Sequence, residues 1–289
     1  MAAPFRIVLF PLLSGLIAGC YYLSLNPSHS ADRLAVSQVR IIAHRGAPTF
    51  APENTLPAIR KALEIGVDMI EIDVHQTKDG VLVIMHDEKV NKTTDGSGYI
   101  KDMTFDEIRS LDAGSWFDPV FRGTKVPALD EVFEIMDETT KLLIEIKRGS
   151  PYYPGIEDRI LGTISMYEFE ERVEIKSFER QVVEHIRGRA PHIPIGKSVV
   201  FRIPFFRIII DRGVRWGSVY TYEVDFLHSH WLTTTQALVR RAHDEGFGLY
   251  AWDVNTEGRM RRLVNMGVDG IETDYPHVLK EILEARNSQ

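Results

Sequence analysis

The chain carries one cysteine, Cys20, among its 289 residues. That excludes an intrachain disulfide framework, a cysteine-rich metal site and a paired-thiol redox centre, and it leaves the redox compartment open. A basic excess is also missing. The formal net charge is −7, so no clustered cationic surface for nucleic acid is expected. A small phosphate-bearing substrate stays compatible with that balance, because one or two local cations and a metal outweigh it at a site. No low-complexity tract interrupts the chain. With 44% hydrophobic and 26% charged residues, it has the composition of a folded protein long enough to bury one barrel-sized core.

Charge is absent from one long stretch. Nothing between Ile7 and Leu25 is charged, a run comparable to the roughly 20 residues that span a bilayer as a helix. Arg6 precedes it and a polar stretch from Asn26 to Ser37 follows. The first reading is a retained N-terminal hydrophobic helix that anchors the protein to a membrane, since no small-x-small cleavage site stands out. Arg6 favours a cytoplasmic N-terminus, which places the rest of the chain on the extracytoplasmic side. Ile17-Ala18-Gly19-Cys20 resembles a bacterial lipoprotein box, so a lipidated Cys20 is the alternative. A buried helix of the folded unit is the third reading. Residues 1–37 are accordingly taken as membrane segment and linker, and 38–289 as the folded unit.

From there, short apolar runs alternate with amphipathic ones. Val39–Ala43, Met69–Val74, Leu142–Ile146, Val173–Lys176, Ile193–Val199, Val224–Leu227, Leu249–Val254 and Gly270–Thr273 read as buried strands. Helical patterns occupy Thr55–Ile65, Leu129–Glu138, Ile156–Tyr167, Glu179–Arg189, Thr234–Glu245, Glu257–Met266 and Pro276–Ala285. Eight such strands imply an α/β fold closed as a (β/α)8 TIM barrel. A doubly wound open sheet is the runner-up, but no Gly-x-Gly-x-x-Gly follows the first strand. Lys78-Asp79-Gly80 is too short for a crossover, so Val81–Met85 should fold back antiparallel on Met69–Val74. The stretch 87–127, rich in glycine, aspartate and aromatics, reads as an insertion over the catalytic end. It holds one short helix announced by the capping box Thr104-x-x-Glu107.

Working groups in such barrels sit at the C-terminal strand ends. His44 and Arg45 follow the first strand; Glu71 and Asp73 share one face of the second; Glu145 and Lys147 share one face of the third. Three inward carboxylates would repel one another without a cation. An oxygen-only set selects one hard divalent ion, Mg2+ or Ca2+. The hairpin brings His86 opposite Glu71 and Asp73, so His44 and His86 can act as acid and base, with Arg45 and Lys147 neutralising phosphoryl oxygens. Gly46 is read as letting the backbone turn close past the ligand. His228 and His230 have metal-like spacing but no local carboxylate, and are read as structural. Trp116-Phe117 is divided between substrate contact and packing of the insertion. Phe201–Ile210 is divided between a barrel helix and a segment dipping into lipid.

His44-Arg45-Gly46, Pro52-Glu53-Asn54-Thr55, Glu71-Ile72-Asp73, His86-Asp87, Glu145-Ile146-Lys147, Ser177-Phe178, Trp252-Asp253-Val254-Asn255 and Gly267 through Pro276 occur in an order that resembles the glycerophosphodiester phosphodiesterases. The resemblance runs from Ile41 to Pro276. It implies a barrel with a small insertion, a divalent metal on Glu71, Asp73 and Glu145, His44 and His86 as the acid/base pair, and phosphate on Arg45 and Lys147. It further implies that Trp252 lines the pocket for the alcohol part. Asp253 departs from the Thr that many members carry there, which affects the pocket rather than the chemistry. Attack on phosphorus by a hydroxyl of the substrate's own glycerol, through a cyclic phosphate, is also implied. The expected reaction releases an alcohol and sn-glycerol 3-phosphate. Its alternative is a membrane-associated lysophospholipase D acting on lysophospholipids. A catalytically dead binding module would lack a metal carboxylate or a histidine, and none is missing.

Overall fold

The computed structural model describes residues 23–27, 38–199, 202–203, 208–209 and 220–287. Eight parallel strands close on themselves: β2 (Arg40–Ala43), β3 (Met69–Gln76), β5 (Lys141–Ile146), β6 (Val173–Ser177), β7 (Ile195–Val199), β11 (Phe226–His230), β12 (Gly248–Trp252) and β13 (Gly270–Thr273). Each pairs with its neighbour in chain order, and β13 and β3 both pair with β2, which completes the barrel. Because the strands are buried on both faces, they read as nearly continuous apolar runs. Ile42, Met69, Leu143, Phe226 and Tyr250 pack inside the barrel. A larger apolar cluster, including Ile70, Ile72, Ile144 and Ile175, lies between the strands and the outer helices.

Those helices are α1 (Leu56–Ile65), then, after the insertion's α2 (Phe105–Ser110), α3 (Leu129–Ile135), α4 (Ile156–Met166), α5 (Arg180–Arg189), α6 (Gln236–Asp244), α7 (Glu257–Met266) and α8 (Pro276–Asn287). Both α1 and α7 stop at a left-handed glycine, Gly66 and Gly267, whose N–H groups bond back to the last-turn carbonyls. β4 (Leu82–Ile84) folds back antiparallel on β3 with Val74 opposite Ile84, as the tight turn requires. Met85 N then donates to Asp73 O at 3.0 Å, so the hairpin carries on toward His86. The insertion has its own small core of Val83, Met85, Val90, Ile100, Ile108, Ala113 and Val126. Its helix α2 starts in the predicted capping box: Glu107 N donates to Thr104 Oγ1, and Thr104 N to Glu107 Oε2.

Two expectations are corrected and a third gains a packing reason. The first concerns the N-terminal hydrophobic helix, most of which lies outside the described residues. Its last three residues belong to strand β1 (Leu23–Pro27), parallel to β10 (Tyr220–Val224). Leu23-Ser24-Leu25-Asn26 alternates with period two, which suits a strand and not a helix. No helix among the described residues is long and apolar enough to cross a membrane. The second concerns Phe201–Ile210, whose described pieces, β8 (Arg202–Ile203) and β9 (Ile208–Ile209), pair antiparallel. A barrel helix there is ruled out, and the rest of the segment lies outside the described residues. The third concerns Gly46: it turns at φ 88°, and a Cβ built on it would fall 2.7 Å from the carbonyl carbon of Ala58, so the left-handed turn and the close approach to α1 each call for glycine.

Candidate active site

Period-two geometry places Glu71, Asp73, Glu145 and Lys176 inside the barrel. Asp73 pairs in register with Glu145, and Glu145 with Lys176, so three ionisable groups share one rung. All four are buried. Ligand atoms of Glu71, Asp73 and Glu145 lie within 4.8 Å of one another, a spacing that could hold a metal ion. Buried carboxylates at that separation need compensation. Lys147 Nζ stands 2.9 Å from Asp73 Oδ1 and also contacts Glu145. Asn54 Nδ2 donates to Asp73 Oδ2 at 2.8 Å. Glu71 Oε2 accepts from the Arg45 amide at 3.1 Å, whereas its buried Oε1 makes no hydrogen bond and has the Lys176 ammonium 3.1 Å away. That under-satisfied oxygen, in an all-oxygen donor set, fits a hard divalent cation.

The charges tune one another. Burial and the neighbouring Asp73 push the Glu71 carboxyl up to about 7, against the pull of Lys176. Burial also favours neutral acids at Asp73 and Glu145, but adjacent cations win: Lys147 and Arg45 hold Asp73 well below the usual range, and Lys147 and Lys176 lower Glu145. The set therefore stays largely anionic near neutrality.

His44 and His86 flank these carboxylates, each with Nδ1 held by a carboxylate. His44 Nδ1 is 2.7 Å from Asp274 Oδ1, and Asp274 is fixed by Asn255, which donates from Nδ2 at 2.7 Å and accepts from the Asp274 amide at 2.9 Å. His86 Nδ1 is 2.6 Å from Asp87 Oδ1. With Nδ1 engaged, Nε2 is the nitrogen left for chemistry on both rings. The two differ in charge. Burial opposes a proton on His44, but the Asp274 bond, aided by Glu272 and Glu71, raises it to about 9. Burial lowers His86, only partly offset by Asp73.

Arg45 adopts φ 55°, and Asn54, Arg148 and Asp253 are likewise left-handed at 56°, 64° and 60°. Each such residue costs about 1–3 kcal/mol, and all four lie in loops beyond barrel strands. Arg45 Nη1 donates to Glu53 at 2.7 Å, with Nε 3.4 Å from Asp73. A crevice beside His86 is lined by Glu53 and Asn54 together with Thr93 and Ala113 of the 87–127 stretch. Trp252 stacks on His228, and its buried Nε1 has no hydrogen-bond partner. Trp116 donates to Ala113 O and packs edge-on against Phe117, a packing role within the insertion.

Six participants escape the sequence reading as separate actors. Glu53, Asn54, Asn255, Glu272 and Asp274 sit in motifs that resemble the family, but spacing alone gives them no partner. Lys176, the sixth, reads in sequence as a strand residue; a lysine inside the run VEIK is its only signal. His228 also gains a carboxylate from across the barrel, Glu272 Oε2 at 3.0 Å from Nε2, which a local search around β11 could not see.

The family model for the glycerophosphoryl diester phosphodiesterase family matches residues 44–278. This chain belongs to that family. It is 40% identical over 242 residues to a glycerophosphodiester phosphodiesterase of Caldanaerobacter subterraneus subsp. tengcongensis, covering 83% of this chain and 95% of the relative. Among solved structures it is similar to the glycerophosphodiester phosphodiesterase of Agrobacterium tumefaciens, with TM-score 0.70, 26% identity, 84% of this chain and 100% of that one. A phosphodiesterase of Oleispira antarctica in complex with the product sn-glycerol-3-phosphate matches with TM-score 0.71, 26% identity, 88% of this chain and 99% of that one. Family members with these names are phosphoric diester hydrolases, and the closed barrel described above is the fold they share with this chain.

Proposed function

We propose that the chain hydrolyses glycerophosphodiesters to an alcohol and sn-glycerol 3-phosphate, with a divalent cation on Glu71, Asp73 and Glu145 and with His44 and His86 as acid and base. The observation that carries this reading is the buried three-carboxylate set with two carboxylate-held histidines near it, His44 within ligand reach of Glu71 and His86 interacting with the charge of Asp73. The product named for the Oleispira structure supports the glycerol 3-phosphate half of the substrate. Mg2+ or Ca2+ suits the oxygen donors. When bound, such an ion supplies Lewis-acid charge to a phosphoryl oxygen.

The chain's own groups do the rest. Arg45 donates toward the phosphate from a backbone position that its left-handed φ fixes. Lys147, with 16% of its side chain exposed, is free enough to move from Asp73 to an incoming phosphoryl oxygen. His44 enters protonated and gives its Nε2 proton to the leaving oxygen. His86 enters neutral and takes a proton at Nε2 from the attacking hydroxyl. Whether that hydroxyl belongs to glycerol or to water is tested with a substrate lacking the neighbouring hydroxyl; attack by glycerol requires that it be cleaved far more slowly. Trp252 beside His228 and His230 forms a wall for the alcohol part.

The deciding assay is choline release from glycerophosphocholine and from lysophosphatidylcholine, with chelator and then with Mg2+ or Ca2+ restored. We expect the deacylated substrate to be cleaved, activity to vanish on chelation and to return with the ion. Undiminished activity after chelation rejects the metal reading, and turnover of lysophosphatidylcholine alone transfers the assignment to a lysophospholipase D. Membrane attachment through the apolar N-terminal run, with the barrel on the extracytoplasmic side, is proposed on the sequence alone. Extraction of the native protein by alkaline carbonate would reject it.

A further inference from the structure

Among the buried cations of the described residues that the proposed reaction gives no task, Lys176 is the one that touches the carboxylate set. Lys176 lies on β6 with 1% of its side chain exposed, so it cannot reach a substrate. Its Nζ is 2.8 Å from Glu272, 3.1 Å from Glu71 and 3.4 Å from Glu145. It therefore touches two of the three proposed metal carboxylates from inside the barrel, while Lys147 touches two from the open end. The second ligand-like group in the barrel, His44 with Glu71 and Glu272, is already served by this ammonium on both carboxylates. Unlike Lys147, Lys176 has no exposed path along which to leave.

We infer that Lys176 is a resident counter-ion in the floor of the metal cradle, which lets the carboxylate-rich barrel fold without a divalent ion and in return weakens that ion's binding. The inference rests on the proposed metal role of Glu71, Asp73 and Glu145. Four carboxylates gathered in a water-poor interior repel one another strongly, and an ammonium in contact with three of them offsets much of that. The same ammonium repels a divalent ion shared by Glu71 and Glu145. Buried charges are little screened by salt, so neither effect fades at physiological ionic strength. Glu272 restrains the second effect, because it absorbs part of the lysine's charge at the shortest of the three distances.

The test is a calorimetric titration of the full chain with Mg2+ or Ca2+, paired with thermal melts with and without the ion. K176M keeps the length of the stem and removes the charge. We expect its metal-free melting point to fall, its affinity for the ion to rise about tenfold or more, and its stabilisation by the ion to exceed that of the unaltered chain. Folding of K176M only in the presence of the ion is the extreme form of the same result. Equal or weaker ion binding by K176M overturns the inference. If K176M folds under neither condition, E272Q decides: it leaves Lys176 less neutralised, so ion affinity must fall, and an unchanged or higher affinity overturns the inference. Absence of ion binding by the unaltered chain overturns the metal reading itself, which separates the two failures.

Discussion

The barrel interior holds two buried charge clusters at opposite ends of the same strands, and they are built differently. At the end where the strands begin, one carboxylate, Glu174, meets Arg40 Nη1 at 2.7 Å, the Tyr250 hydroxyl at 2.8 Å and Lys141 at 3.8 Å. Cations outnumber acids there, and every contact comes from the chain. At the other end Glu71, Asp73, Glu145 and Glu272 face Arg45, Lys147 and Lys176, one carboxylate oxygen has no hydrogen bond, and strained residues surround the cluster. A complete cluster holds a fold together, whereas an incomplete one is poised for a ligand. Mutation should therefore give opposite signatures at the two ends.

The largest effect is expected from E145Q at the incomplete end. Loss of a metal carboxylate should lower kcat/KM for glycerophosphocholine on the order of a thousandfold, while metal-free stability falls only modestly, because Lys147 keeps Asp73 and Lys176 keeps Glu71 and Glu272 as partners. A large loss of stability with activity retained would invert the comparison. Next comes E174Q at the complete end, which strands Arg40 in the interior. It should cost about 3–5 kcal/mol, read as a fall in denaturation midpoint, with kcat per folded molecule unchanged. A smaller effect is expected of D274N, which keeps shape and an acceptor oxygen but removes the charge that orients His44 and holds its proton. Orienting partners of this kind are worth about 10- to 100-fold in activity; the loss should appear in kcat and leave ion affinity unmoved.

The smallest effect concerns pH. In the folded protein His44 is raised to about 9 from an ordinary value near 6.5. The folded state thus holds a proton that the unfolded chain releases earlier. The stabilisation is fully present below pH 6.5 and is lost as pH rises through 9. Denaturant unfolding of the metal-free protein should therefore show a steeper decline between pH 6.5 and 9 in the unaltered chain than in D274N. Parallel curves would mean that Asp274 does not hold the proton.

Much of the barrel was legible because buried parallel strands leave apolar runs and the connecting helices leave a 3.6-residue pattern. The β3–β4 hairpin was legible from Asp79-Gly80, and with it the approach of His86 to Glu71 and Asp73. Partnerships that cross the barrel were not. Asp274 reaches His44 over 230 positions of chain and Lys176 reaches Glu272 over 96, and one sequence carries no signal for strand register at that range. Gly46 shows the converse limit. Its need for glycine was visible, but what it approaches, Ala58 of α1, emerges only from packing.

The hairpin that delivers His86 has one more consequence. The insertion leaves the barrel after β4 and returns beside it: Ile84 N donates to Pro127 O at 3.0 Å, and Val83 bridges to Ala128. Entry and exit are thus pinned to one short ladder, and between them lies a unit with its own small core. Such an arrangement behaves as an exchangeable cassette. Evolution or an engineer can lengthen, shorten or swap everything from Glu88 to Val126 and so redraw the substrate entrance, while the strand carrying Glu71 and Asp73 keeps its register.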